Sequence, residues 1–168
     1  MAFKPGSNQR DYTLCSQYDD ALDLPEVPTL AADADAEAIA ARDAIAKDRA
    51  HRLKVARETA NFDTLIKPGK RPTFFHCRHI PGWAMDWWHG QNVGDVEKQA
   101  LLFRLALKTI ENLGDVKMVH GEQDGQRLLS TASLDALYSI GDGLGRKVVG
   151  ELAGIIAAKT FRGVDPLS

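Results

Sequence analysis

One run constrains this chain more than any other: "VEKQALLFRLALKTIENL", Val96 to Leu113. Val96, Ala100, Phe103, Leu107 and Ile110 recur at helical spacing, and Leu102, Ala106 and Leu113 add a second stripe beside them. An apolar face that wide needs neighbours on more than one side. The pattern predicts a central core helix, opened by an N-cap carboxylate at Asp95 and closed at Gly114. The rest of the chain must supply the layers that cover it.

A chain of 168 residues is long enough to do so, and its 44% hydrophobic and 26% charged content suits a globular core. The last helix is expected from Leu144 to about Phe161, with Leu144, Val148, Leu152, Ile155 and Ile156 on its apolar face. Gly150, Ala153, Gly154 and Ala157 make a strip of small residues that lets another backbone approach closely. Before it, Ser133 can cap a short helix, "LDALYSIG", and "VKMVHGEQDGQRL" reads as a polar hairpin or loop bent at its glycines.

Upstream, "LIKPGKRPTFFHCRHIPG" reads as a β-hairpin. Leu65 and Ile66 end one strand, Pro68-Gly69 supplies the turn, and Thr73 to Ile80 forms the other strand. Alternation puts Phe74, His76, Arg78 and Ile80 on one face and Phe75, Cys77 and His79 on the other. "WAMDWWHG" follows as a short helix closed by Gly90.

The N-terminal part differs in kind. Residues 1–30 carry Pro5, Pro25 and Pro28 with no hydrophobic period, which reads as an extended arm. Residues 31–61 are alanine-rich, with Asp33, Asp35 and Glu37 early and Lys54 and Arg57 late, which suits the helix dipole. Large apolar residues are sparse there: Ile39, Ile45, Leu53 and Val55. That is a long, largely solvated helix, or one that docks on another chain. Residues 62–168 complete a compact helical domain. The expected fold is therefore mainly α with a small β-hairpin, preceded by an arm and a long charged helix.

Several function classes lose support at this level. A net charge of −2 gives no whole-protein field for DNA or an anionic membrane. The opening "MAFKPGSNQRDY" has no apolar core of the kind a signal peptide needs. The apolar stretch "VVGELAGIIAA" is about half a membrane span and is interrupted by Glu151, so no membrane partner is expected. Cys15 and Cys77 make no disulfide framework and suit a reduced compartment.

Residues 73–90, "TFFHCRHIPGWAMDWWHG", concentrate the unusual side chains. His76, Cys77 and His79, with His89 or Cys15, would be the candidate metal ligands, but strand alternation separates His76 from the other two. No metal and no cofactor is expected. Lys67, Lys70, Arg71 and Arg78, interleaved with Phe74, Phe75 and Trp83 in an acid-free segment from Thr64 to Met85, form a candidate nucleic-acid surface. Four charges give modest, salt-sensitive affinity, so this is the alternative reading. No hydrolase, metalloprotease or phosphate-loop motif is present, and "GDGLG" at 141–145 lacks a dinucleotide loop's spacing. Asp86, with His89 three residues on, names no further catalytic partner. Trp83 and Trp87 share a helical face suited to the core, which leaves Trp88 as a candidate interface anchor.

The order from Thr73 onward, "TFFHCRHIPG", "EKQALLFRLALKTIENL", "VKMVHGEQDGQRL", "LDALYSI" and "VVGELAGIIAAKT", resembles tail assembly chaperones of tailed phages. The resemblance covers residues 73–168 as a layout of a β segment, a core helix, a polar bend and closing helices; the first 60 residues depart from it. It implies a non-enzymatic phage assembly or virion accessory protein acting through protein–protein contacts. Its partners would be tail or capsid proteins, or a second copy of itself, in the host cytoplasm or in the virion. No catalytic residue is implied. The partner-binding candidates are Trp83, Trp87 and Trp88, with Ile39 and Ile45 on the alanine-rich helix.

Overall fold

The structure is a computed structural model that describes residues 11–161; the start of the expected arm and the chain beyond Phe161 lie outside the described residues. The chain divides into two compact units, residues 11–18 with 73–161 and residues 19–72. Mainly helical architecture with a small amount of β structure is what the chain adopts.

The larger unit is built around a three-stranded antiparallel sheet in the order β1-β2-β3. β1 (Tyr12–Leu14) comes from the expected arm. It pairs with β2 (Phe74–Cys77) through Tyr12↔Cys77, Thr13↔His76 and Leu14↔Phe75. β2 is thus a central strand, buried on one face through Phe75 and Cys77, with Phe74 and His76 on the other as alternation predicts. Ile80 departs from that alternation. The strand ends at Cys77, past an irregularity at His76/Cys77, and Ile80 joins the core at 7% exposure.

The core helix, α3 (Asp95–Ala106), is shorter than its apolar pattern suggests. At Leu107 the backbone turns extended, with φ −68° and ψ 124°, and the chain runs directly into β3 (Leu107–Glu111). The wide stripe therefore serves two elements. Leu101, Leu102, Phe103, Leu105 and Ala106 are buried from the helix, and Leu107 from the strand. The cause is tertiary: the second edge of β2 carries backbone groups that need partners beside a buried face. β3 supplies them through Phe75↔Ile110 and His76↔Thr109, and β-branched Thr109 and Ile110 suit a strand better than a helix. The start of α3 also differs, with Gly94 rather than Asp95 at the cap position and no side-chain cap bond.

Beyond the sheet, β4 (His120–Gln123) and β5 (Gln126–Leu129) form the polar hairpin expected at this point. Asp124 and Gly125 make its two-residue turn with φ of 50° and 76°, the left-handed pair that matches strand twist. α4 (Thr131–Tyr138) is capped by Ser130, whose Oγ accepts from the Ser133 N–H at 3.1 Å. Ser133, the expected cap, instead lies inside the helix, and its Oγ accepts from the Val119 N–H at 2.8 Å. α5 (Leu144–Phe161) spans the predicted range and buries Leu152 and Ile156 as expected, with Val148 and Ile155 packed against the core; Gly145, Val149 and Ala153 are buried beside them, while Leu144 is 39% exposed. The added burial at the start of α5 comes from a close helix approach at Gly145. A Cβ there would stand 1.8 Å from the Leu137 carbonyl oxygen. Gly150 and Gly154, expected to admit another backbone, face open space.

After β1 the chain is fastened to α5. Glu151, the carboxylate that interrupts the apolar C-terminal stretch, accepts from Ser16 Oγ at 2.6 Å and from the Gln17 N–H at 3.1 Å. Ser16 Oγ in turn accepts from the Tyr18 N–H at 3.1 Å. A charged residue inside an apolar helix thus satisfies the backbone where a strand ends.

The smaller unit holds the charged helix, α1 (Ala36–Thr59), and the segments that flank it. Asp35 Oδ1 caps its start by accepting from the Ala38 N–H at 2.8 Å. Ala60 ends it in a left-handed conformation, φ 51°, with its N–H on the Ala56 and Arg57 carbonyls. Only Leu53 and Ala56 of the helix are buried, and they share this unit's small buried set with Ala21, Leu22, Phe62, Leu65 and Pro72. Lys67-Pro68-Gly69-Lys70 forms the predicted turn, closed by Lys70 N–H to Lys67 O at 3.0 Å with Gly69 at φ 74°. The hairpin expected around that turn does not form. Leu65 lies in a 3-10 turn (Asp63–Leu65) and Ile66 bridges Leu22, while both edges of β2 are taken by strands distant in sequence.

Candidate functional site

Two features of the larger unit carry recognisable chemistry: the tryptophans of α2 (Gly82–His89) and a basic cleft beside the sheet. Pro81 precedes α2 with φ −68°, and the Gly90 N–H closes it on Asp86 O and Trp88 O. Ala84 is the buried residue of the helix. The tryptophans divide differently from the expected pairing. Trp83 is 57% exposed, whereas Trp87 and Trp88 pack against the core.

Both packed indoles have their N–H satisfied. Trp87 Nε1 donates to Asp124 Oδ2 at 3.1 Å, which ties α2 to the turn of the β4–β5 hairpin. Trp88 Nε1 donates to Lys98 O at 2.7 Å. The Lys98 ammonium stands 5.0 Å from the Trp88 ring, and the Phe161 ring lies tilted against the same indole at 5.7 Å between centroids. Trp88, the expected anchor for a partner, is thus held within its own domain; Trp83 is the tryptophan that faces outward. Periodicity could not reveal this, because Asp124 and Phe161 are distant in sequence and reach α2 only through the fold.

Of the other partner candidates, Ile39 is exposed and Ile45 half-buried on α1. They lie on different sides of the helix, as a spacing of six residues dictates.

The metal candidates do not converge. His76, on the outward face of the sheet, contacts Thr13 Oγ1 at 3.0 Å through Nδ1 and Glu111 Oε2 at 3.0 Å through Nε2. Cys77 points into the core with its thiol on Phe75 O, and burial pushes its pKa up to about 12, so it stays a neutral thiol. His79 sits edge-on to Tyr12 at 6.0 Å, and burial raises the Tyr12 phenol well above its ordinary value. Among the described residues, no three His, Cys, Asp or Glu side chains are placed to hold a metal ion together. Asp86 is exposed.

The candidate basic surface is not one hairpin. Lys67, Lys70 and Arg71 are exposed residues of the smaller unit, and Lys67 Nζ donates to Asp20 O at 2.9 Å. Arg78 belongs to the larger unit, where Nε donates to Leu105 O at 2.8 Å and Nη2 to Arg127 O at 3.1 Å. There it borders a cleft of about 280 Å³ shared with Lys108, Thr109, His120 and Arg127. Only Arg78 of this set stood out in the sequence; the others come from β3, β4 and β5, and no local pattern links them.

Among the described residues, no helix is long and apolar enough to cross a membrane. Comparison of the chain with protein-family models, with curated proteins and with solved structures yields no match.

Proposed function

We propose that this chain is a non-enzymatic accessory protein of tailed-phage assembly, similar in kind to tail assembly chaperones, and that it acts by holding segments of tail or capsid proteins. The observation that carries the reading is α1: a helix capped at both ends that runs from Ala36 to Thr59 yet buries only Leu53 and Ala56. A domain that needed this helix only for its own core would bury a wider stripe. A preformed helix also spares a partner the entropy of ordering it. Trp83, more than half exposed on a short helix, offers a second contact of the type that anchors protein interfaces. The layout from Thr73 onward adds the resemblance. The place of action on this reading is the host cytoplasm, or the virion if the protein stays with the particle.

The test is affinity capture with the tagged full-length chain from phage-infected host cells, followed by mass spectrometry. Tail or capsid proteins should be retained, and Trp83→Ala or Ile39→Asp should reduce their recovery without moving the thermal midpoint. Recovery of those proteins by both variants at wild-type level would sink the assignment of these surfaces. Failure to retain any tail or capsid protein would sink the function. Light scattering across a concentration series reads self-association separately.

A further inference from the structure

The basic cleft of the larger unit is not explained by the assembly reading or by the core. Arg78, Lys108, Thr109, His120 and Arg127 line it, converging from the end of β2, from β3, from β4 and from β5. Two arginines meet here, and among the described residues neither forms an ion pair with a carboxylate. Arg78 is held by the neutral Leu105 and Arg127 carbonyls, which fix the guanidinium plane, and Asp11 is the carboxylate that acts on its charge without an ion pair. The Thr109 hydroxyl has no partner in the described chain. His120 Nε2 is 2.8 Å from Leu107 O; a carbonyl only accepts, so this nitrogen carries the proton.

The nearby acids do not close the site. Asp11 is engaged at 2.5 Å by Lys108, and Glu122, opposite Arg127 in the hairpin register, makes no ion pair with it. Burial lowers the pKa of Arg78, and the proximity of Arg127 lowers it further while Asp11 acts in the opposite sense, so the two guanidinium groups repel. An anion between them relieves that repulsion.

We propose that this cleft binds a phosphate group. Donors from separate strands surround a tetrahedral oxyanion better than a planar carboxylate, and paired guanidinium groups suit the negative charge of a phosphate monoester or diester. The cleft has no Phe, Tyr or Trp among its lining residues. Recognition therefore rests on the phosphate and not on a stacked base. The source is either a free nucleotide or the backbone of a nucleic-acid strand. The inference does not depend on the assembly role.

The experiment is calorimetric titration of the full chain with inorganic phosphate at low ionic strength, alongside Arg127→Gln and Thr109→Val. Both positions are exposed on strands, so fold loss is not expected, and circular dichroism checks it. Saturable binding at millimolar phosphate or below, weakened at least about tenfold by Arg127→Gln, supports the site (a loss of about 1.4 kcal/mol). Equal binding by wild type and Arg127→Gln would mean an adventitious ion only and overturns it, as does no binding at millimolar phosphate. Two further titrations assign the source. A mononucleotide that competes with phosphate, with no gain for an oligonucleotide, points to a free nucleotide. Tighter oligonucleotide binding with a steeper salt dependence points to a strand. A glutamate-rich peptide that binds where phosphate does not would replace the phosphate assignment and overturn it.

Discussion

α1 and α3 are both helices, but different forces set their limits. α1 is 24 residues long and buries two of them; α3 is 12 long and buries five. The first is written locally, in alanine content, in the Asp35 cap and in charges that follow the dipole. The second is written in burial. Its end at Ala106 has no glycine, proline or cap to mark it; the edge of β2 claims the next five residues. A helix set by propensity is therefore read correctly from its own residues, whereas a helix set by packing is read correctly only in its apolar content.

The sharpest way to break that contrast is to empty the packed helix. Phe103→Ala should lower the stability of the protein by about 3–5 kcal/mol, because Phe103 is fully buried against Phe75 and its neighbours. The same kind of truncation on α1, Ile39→Ala, should change stability by less than about 0.5 kcal/mol. Chemical denaturation measures both, and comparable losses would overturn the comparison.

Alkaline pH probes the same core without truncation. The Cys77 thiol rises from about 9 to about 12 on folding. Its folded pKa is the higher one, so its contribution is complete below about pH 9 and is lost as pH climbs toward 12. Stability should fall there by about 1.4 kcal/mol per pH unit, with Tyr12 acting in the same direction. Cys77→Ala should flatten the slope attributable to the thiol, read from denaturation midpoints across that range.

Next in size is the clamp on α5. Glu151→Gln keeps the shape but removes the charge that accepts from Ser16 Oγ and the Gln17 N–H, and should cost roughly 1–2 kcal/mol. Hydrogen exchange should quicken at residues 12–18 before it does in α3. Uniform quickening would mean that the clamp supports the whole unit and not just β1.

The smallest effect has the opposite sign. Ala60 holds a left-handed φ of 51°, which costs an alanine more than a glycine. Ala60→Gly should stabilise the end of α1 by roughly 0.5–1 kcal/mol, seen as a modest gain in the thermal midpoint. No gain would mean that contacts of the last turn, and not backbone strain, govern that end.

The candidate sites follow the same division. Alternation correctly put Phe75 and Cys77 on the buried face of β2 and His76 on the other, because a strand's period is local. The roles of the tryptophans were not legible. The sequence groups Trp83 with Trp87 by spacing, but Asp124 from a distant turn and the Lys98 carbonyl decide that Trp87 and Trp88 pack inward. The basic cleft was invisible for the same reason: Arg78, Lys108 and Arg127 become neighbours only when β2, β3 and β5 meet.

What the sequence determined by itself was the content of the molecule: its mainly helical class, the charged helix and its polarity, the Pro68-Gly69 turn, a polar bend that falls at Gly125, and the range of the last helix. Each depends on interactions within a few residues along the chain. Only the tertiary structure decided that residues 12–14 form a strand, that Leu107 leaves its helix for the sheet, and that α5 turns Gly145 toward Leu137. These depend on backbone groups and surfaces that find their partners across long stretches of chain, and a hydrogen bond or a packed face carries no local sign of the partner that completes it.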